Sequence, residues 1–317
     1  MTHQSTIQPF EKGDVFAGAT LLNDPEDDHA GDGRIIQYDS NLTEKGVLWT
    51  RGTTHLVVGL RFSPDGILWA FDSQEYKVVR VTTDGTQLPD IEFAQRPFSN
   101  GVFGAEGRIY LGEHIKGNSI KRTLNRRITT QFPVMPGTDR WGDGHLFQFS
   151  ADGICVKEIA IETHGGAPGF FGITCSALAA DGKTLIYVSE LGGRLMRYDL
   201  EAERQLPDLL EFDPDSGDMT MGVDITPDGT LLLVTANVGK DLFALQLLSD
   251  AGDLVRSFPL EGRGWSNVAS SIEGKFAYVT NFFTGQIVKV DLTNSEIVAQ
   301  ADTSVEKSLA GIAQYAG

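Results

Sequence analysis

A tetrapeptide of the form small-x-Asp/Glu-Gly recurs five times along the chain, each copy between short runs rich in β-branched and aromatic residues. The copies are Ser63-Pro64-Asp65-Gly66, Gly104-Ala105-Glu106-Gly107, Ala179-Ala180-Asp181-Gly182, Thr226-Pro227-Asp228-Gly229 and Ser271-Ile272-Glu273-Gly274. Pro presets φ, Asp bonds the local backbone and Gly accepts φ > 0, so each copy reads as a tight hairpin turn. The glycines at 66, 107, 182, 229 and 274 are 41, 75, 47 and 45 residues apart. The long interval becomes ordinary once about 30 residues are inserted into one repeat, and a period in the mid-forties marks a four-stranded β-propeller blade.

Five turns predict five blades, and the two chain ends supply a sixth. Residues 14–19, 34–39 and 46–49 read as the outer three strands of that blade, and residues 309–315 as its inner strand. The segment Leu309-Ala310-Gly311-Ile312-Ala313-Gln314-Tyr315 resembles the inner strands Val58-Gly59-Leu60-Arg61-Phe62 and Met221-Gly222-Val223-Asp224-Ile225. Joining the ends in one blade removes an exposed sheet edge. The expected architecture is therefore an all-β, six-bladed β-propeller closed by pairing of the N- and C-terminal strands. Residues 1–13 are expected to be a tail, and residues 14–317 one domain with an insertion at 115–144 in the third blade.

Composition narrows the partners. A formal charge of −17 repels nucleic acid and anionic membrane surfaces. No stretch approaches the roughly 18 apolar residues of a membrane helix, and the polar N-terminus has no signal-peptide core, which makes the cytoplasm the expected location. Cys155 and Cys175 form no metal or redox spacing. A small molecule is the expected partner, and nothing indicates an organic cofactor or an oligomeric state.

In each blade the inner strand A runs from the top face to the Asp-Gly turn at the bottom, and strands B, C and D follow outward. The D–A and B–C loops are therefore on top, where His29, His55, His114, His145 and His164 all map. They are either ordinary loop residues or channel-facing metal ligands and acid/base groups, with His55 and His114 closest to inner-strand ends. Strand-A entrances hold Gly59, Asn100, Cys175, Gly222, Asn267 and Gly311, and strand-B exits hold Asp72, Glu113, Glu190, Asn237 and Asn281. Asn and Asp also end strands and cap turns, a role for which Glu113 and Glu190 are less suited. Among the aromatics assigned to the top, Trp265 and Phe171 either pack between blades or line a pocket for a partly aromatic ligand. The insertion holds Lys116, Lys121, Arg122, Arg126, Arg127 and Arg140, a solvated loop or a lid in which Arg126 pairs with an anionic substrate group.

The last blade, with Phe276-Ala277-Tyr278-Val279-Thr280-Asn281 followed by Gly285-Gln286-Ile287-Val288-Lys289-Val290-Asp291, resembles a YVTN-type propeller repeat. The fourth, with Gly182-Lys183-Thr184-Leu185-Ile186-Tyr187-Val188-Ser189, is similar to the gluconolactonase and senescence-marker-protein superfamily. That resemblance implies a divalent metal at the channel mouth that activates water or a lactone carbonyl. Asn100, in Ser99-Asn100-Gly101, matches a family Asn-Gly entrance. The next two entrances hold Cys175-Ser176 and Met221-Gly222 where Asn and Asp ligands belong, and Gly311 has no neighbouring Glu. A metal would then be held by His55, His114 and Glu190, with zinc, iron or manganese as plausible as calcium.

The expected function is a small-molecule enzyme, most simply a lactone or ester hydrolase. His114, Glu190 and Glu113 are its catalytic candidates, Asn100 and Asn267 orient the carbonyl, and Asn237, Asn281, Trp265, Phe171 and Arg126 complete the substrate set. A lyase, isomerase or cyclising enzyme using the same groups is an alternative, as is a non-catalytic propeller that binds a protein or peptide.

Overall fold

The computed structural model describes residues 3–24, 31–56, 58–89, 91, 96–114, 144–163 and 172–317. They form six antiparallel sheets arranged as the blades of a β-propeller. Blade 1 joins β1 (Val15–Leu22), β2 (Gly31–Tyr38) and β3 (Glu44–Trp49) to the C-terminal inner strand β23 (Leu309–Gln314). The closure is held at its base by Gly13 N–H to Tyr315 O (2.9 Å) and Tyr315 N–H to Asp14 O (2.8 Å). Blade 2 contains β4 (Leu60–Phe62), β5 (Leu68–Asp72) and β6 (Lys77–Val81). Its fourth strand is reduced among the described residues to a bridge between Val81 and Gln87. Blade 3 contains β7 (Phe98–Phe103), β8 (Ile109–Glu113), β9 (Leu146–Phe149) and β10 (Cys155–Ile159). Blade 4 contains β11 (Cys175–Leu178), β12 (Thr184–Val188), β13 (Arg194–Asp199) and β14 (Arg204–Glu211). Blade 5 contains β15 (Met219–Ile225), β16 (Leu231–Asn237), β17 (Leu242–Leu248) and β18 (Leu254–Leu260). Blade 6 contains β19 (Trp265–Ser270), β20 (Phe276–Asn281), β21 (Gln286–Asp291) and β22 (Ile297–Asp302).

The repeated turns form as their sequences require. Gly66, Gly182, Gly229 and Gly274 have φ between 69° and 90°, and each donates its N–H over 2.9 Å to the carbonyl three residues earlier. In the second copy Glu106 (φ 58°) and Gly107 (φ 71°) close a short 3-10 turn instead.

The core lies between blades, because both faces of each sheet are covered. Alternate residues of one strand therefore serve two interfaces. On β12, Leu185 and Tyr187 pack with blade 3, and Ile186 and Val188 pack with blade 5. On β5, Leu68 and Ala70 face blade 1, and Trp69 and Phe71 face blade 3. This double burial explains why the B strands read as unbroken apolar runs.

Residues 3–13 are not a loose tail. Thr6 N–H bonds Val47 O (2.7 Å), Phe10 N–H bonds Thr83 O (2.7 Å), and Phe10 packs on Phe16, Phe62 and Tyr315. The segment straps blades 1 and 2 together. Among the described residues no helix is long and apolar enough to cross a membrane.

Neighbouring inner strands approach closely around the axis. A Cβ at Gly311 would lie 1.8 Å from Val58 O of the next blade, and one at Gly222 would lie 2.6 Å from Ser266 O. Gly311→Ala is expected to force the two backbones apart and to cost about 1–3 kcal/mol. In Gly239→Ala the added methyl meets nothing nearer than 3.7 Å, and the change should stay within about 0.5 kcal/mol. Urea unfolding of the two variants measures the difference; equal stabilities would mean that the axial contact is loose.

Candidate functional site

The strand-A entrance residues are, first of all, joints between blades. Gly59 N–H donates to Ser99 O over 2.7 Å. Asn100 Nδ2 donates to Ile173 O over 2.8 Å, and Cys175 Sγ to Val223 O over 3.2 Å. Blade 6 closes the ring through Thr280 Oγ1, the cross-strand neighbour of Asn267, to Ala310 O (2.6 Å).

Below this ring the inner strands enclose a channel cavity of about 340 Å³, lined from above by Asn100, Cys175 and Asn267. Arg61 of blade 2 and Asp224 of blade 5 meet across it. Blades 2 and 5 are opposite in a six-bladed ring, so only a side chain as long as arginine spans the gap. Arg61 Nη1 lies 3.0 Å from Asp224 Oδ1, and its Nη2 donates to Ser176 O over 2.8 Å. Asp224 Oδ2 accepts the Ser270 N–H at 2.8 Å. Burial works against the Arg61 charge, but the Asp224 carboxylate outweighs it and holds the guanidinium above its ordinary value. The sequence reading missed this pair. The signal lay in the aligned strands, where Arg61 and Asp224 each follow the entrance glycine by two residues.

The strand-B exit residues tie each D–A loop to the following B–C turn. Asp72 accepts N–H groups from Thr54 and His55 on one oxygen and from Gln74 and Glu75 on the other. Burial raises its carboxyl in spite of these four donors. Asn237 Nδ2 reaches Ser216 O (2.9 Å) and Asp218 Oδ1 (2.7 Å), and its Oδ1 accepts Lys240 N–H. Asn281 Nδ2 reaches Arg263 O (2.9 Å), and its Oδ1 accepts Phe283 and Thr284 N–H. Both side chains are buried and bonded to the loops around them, which takes Asn237 and Asn281 out of the expected substrate set. Trp265 leaves it too: the ring is buried in the blade 5–6 core and its Nε1 is bonded to Glu261 O (2.9 Å).

Glu113 is likewise a tie. Its carboxylate binds Arg96 Nε and accepts N–H groups from Gly144 (2.9 Å) and His145 (3.2 Å), and both partners of the ion pair are sealed from solvent. Arg96 also lies over the Phe147 ring at 4.8 Å. The pair anchors the return of the chain from the insertion. His55 is buried beside Asp72, and His114 gives its backbone N–H to Pro97 O. Among the described residues no three His, Cys, Asp or Glu side chains converge to hold a metal ion. The expected ligand set of His55, His114 and Glu190 is not brought together among the described residues. Phe171, Arg126, His29 and His164 lie outside the described residues, as does the insertion up to residue 143.

Glu190 stands apart. Pairing of Tyr187 with Met196 puts Ser189, not Glu190, at the place of Asp72, Asn237 and Asn281. Ser189 Oγ accordingly takes the tying role, donating to Gly172 O (2.7 Å). Glu190 is therefore the first residue of the B–C turn. That turn departs from its counterparts: the left-handed residue is last in blades 2, 5 and 6 (Tyr76, Asp241 and Gly285) but second in blade 4, at Leu191 (φ 64°). Glu190 N–H donates to Thr174 Oγ1 (2.7 Å), and Leu191 N–H to Thr220 O (3.0 Å), so the turn is clamped from both sides. The Glu190 carboxyl has no partner among the described residues, and His114 does not pair with it. Burial alone raises it to about 7. Its charge reaches Cys175, whose thiol is pushed up by burial and by the Asp224 and Glu190 carboxylates.

No family model matches the chain, and no curated protein matches it in sequence. Solved structures match in fold. A catalytically inactive virginiamycin B lyase from Staphylococcus aureus, crystallised with quinupristin, is 14% identical over 96% of this chain and 89% of its own, with a TM-score of 0.52. A chain of a nidogen/laminin complex is 13% identical over 95% of this chain and 98% of its own (TM-score 0.59). A protein from Lactobacillus plantarum is 13% identical over 95% and 99% (TM-score 0.59). These neighbours include an enzyme and a partner in a protein complex.

If Asn237 and Asn281 are ties, Asn237→Ala and Asn281→Ala should each lower stability by about 1–3 kcal/mol, because buried backbone groups lose their partners. Paired measurements of unfolding and of ligand binding test this; loss of binding at full stability would restore them to the site. By fold, the chain is a six-bladed β-propeller whose structural neighbours include virginiamycin B lyase.

Proposed function

We propose that the chain is a small-molecule enzyme that works by proton transfer at the top of its channel, with Glu190 as the group that takes and returns the proton. The observation that carries this reading is the Glu190 carboxyl: partnerless among the described residues, clamped in a turn with its own backbone geometry, and raised to about 7. A group whose pKa lies near neutrality is half available as base and half as acid, which is where general catalysis is most effective. Lactone or ester hydrolysis is the simplest chemistry for it. Ionised Glu190 takes a proton from water as the water adds to the carbonyl, and protonated Glu190 returns it to the leaving alkoxide. Asn267 lines the cavity with Oδ1 already bonded to Val268 N–H (2.8 Å), which leaves Nδ2 to donate to the developing oxyanion. The same base removing a proton from carbon would make the enzyme a lyase, and the likeness to virginiamycin B lyase supports that variant.

A binding role is favoured by a different observation. Val238, Leu242 and Phe283 are 43%, 60% and 50% exposed in or beside the B–C turns of blades 5 and 6. A protein or peptide seated on that face would need these residues and not Glu190.

Screening lactones, esters and elimination substrates identifies the reaction. For an active substrate, kcat/KM should rise with pH through about 7, and Glu190→Gln should lower it at least about 100-fold. Residual activity within tenfold of wild type would remove Glu190 from catalysis.

The shifted carboxyl also makes a prediction that needs no substrate. Its folded pKa of about 7 exceeds the ordinary value of 4.5, so between these values the native state holds more protons than the unfolded one. Its contribution to stability is present at low pH and is lost as pH rises through 7. Glu190→Gln should therefore match wild type near pH 4.5 and melt at a higher temperature at pH 8. Equal melting temperatures at both values would show that the carboxyl is not shifted.

A further inference from the structure

We infer that the bottom of the channel is a second ligand site, built for a small aromatic or apolar carboxylate. On the face of the Asp-Gly turns, away from Glu190, lies a hollow of about 370 Å³ walled by Phe62, Val102, Phe103, Leu178 and Tyr315. Its size suits a small ligand. Arg61 lines both this hollow and the channel cavity above it, and so forms the inner end of one and the floor of the other.

The walls are held in place before any ligand arrives. Phe62 packs against Tyr315 (5.1 Å between ring centroids) and Phe16 (5.5 Å), and Phe103 packs edge-on against Trp69 (5.3 Å). Ordering these rings is part of folding and need not be repeated on binding.

The polar end offers donors. A guanidinium carries five N–H groups; Arg61 commits one to Asp224 and one to Ser176 O. The remaining three have no partner among the described residues, and the side chain is 31% exposed to the cavities. Asp224 is only 11% exposed, with one oxygen on Arg61 and the other on Ser270 N–H. A ligand entering from below thus meets Arg61 at the end of an apolar slot, while the neutralising Asp224 lines only the cavity above. Acceptor oxygens are recognised, a carboxylate best of all through paired N–H contacts. The site stands independently of the acid–base reading of Glu190, which is at the other end of the channel.

Three probes of one shape and different charge test it: phenylacetate, phenylacetamide and phenethylamine, titrated calorimetrically against the intact protein. Phenylacetate should bind at least about tenfold more tightly than the amide, since charge-assisted bonds are the stronger kind, and the amine should not bind. Arg61→Lys, which keeps the charge and loses the fork, should weaken phenylacetate about tenfold. Leu178→Trp, which fills the slot, should abolish binding, and it keeps the test open if the arginine variant fails to fold. Glu190→Gln should bind phenylacetate as wild type does. The site is disproved if the three probes bind alike, if the amine binds best, if none binds, or if binding survives in both folded Arg61→Lys and Leu178→Trp. Loss of binding in Glu190→Gln would also overturn it, by moving the ligand to the top mouth.

Discussion

The molecule depends on how closely its inner strands meet around the axis. At successive entrances the residue that opens strand A faces a main-chain carbonyl of the next blade. Glycine holds the position where backbone meets backbone, as at Gly311 against Val58 O, and Asn100 and Cys175 hold it where a side chain bridges the gap. A ring of this kind closes only if every joint has the right length, because an error in one blade must be absorbed by the others. Groups that look like a ring of ligands along the sequence are thus mostly engaged in keeping the ring shut.

The same economy governs the strand-B exits. Backbone groups in the top loops are buried and need partners, and Asp72, Glu113, Ser189, Asn237 and Asn281 supply them blade by blade. Once Ser189 has taken that duty in blade 4, the carboxyl at the next position is released from it. An ionisable group left without a partner in a half-buried setting is costly to charge, and the shift of Glu190 to about 7 expresses that cost. A cost retained where neighbouring blades have removed it is the ground on which a functional role is proposed for Glu190.

The fold was legible because its signal is local and repeated. Each turn glycine needs φ > 0 within a few residues of sequence, and five copies give the period. The closing strand was legible for the same reason, since Gly311 repeats the entrance pattern of Gly59 and Gly222. The site was less legible because its relations are not local. Arg61 and Asp224 are 163 residues apart in sequence, and they become partners only when six blades place blade 2 opposite blade 5. A seventh blade would have separated them. Glu190 was singled out, but one residue out of register: blade 4 takes one more residue between its turn glycine and its exit than blade 2 does, and only cross-strand pairing resolves that slip. Trp265 read as a pocket residue because an aromatic beside a loop looks the same whether it faces solvent or the next blade.

The Arg61–Asp224 pair gives the channel its two ends. With the pair in place, each cavity has a floor, and the two floors differ in character. From above, the pair stands beneath Cys175, whose thiol is kept protonated by burial and by the carboxylates around it, so the upper end offers a neutral wall below a carboxyl poised near 7. From below, it offers guanidinium N–H groups to the end of an aromatic slot. A buried ion pair stabilises a fold poorly for the desolvation it costs. On the proposed reading, the pair divides one channel into two chemically distinct sites.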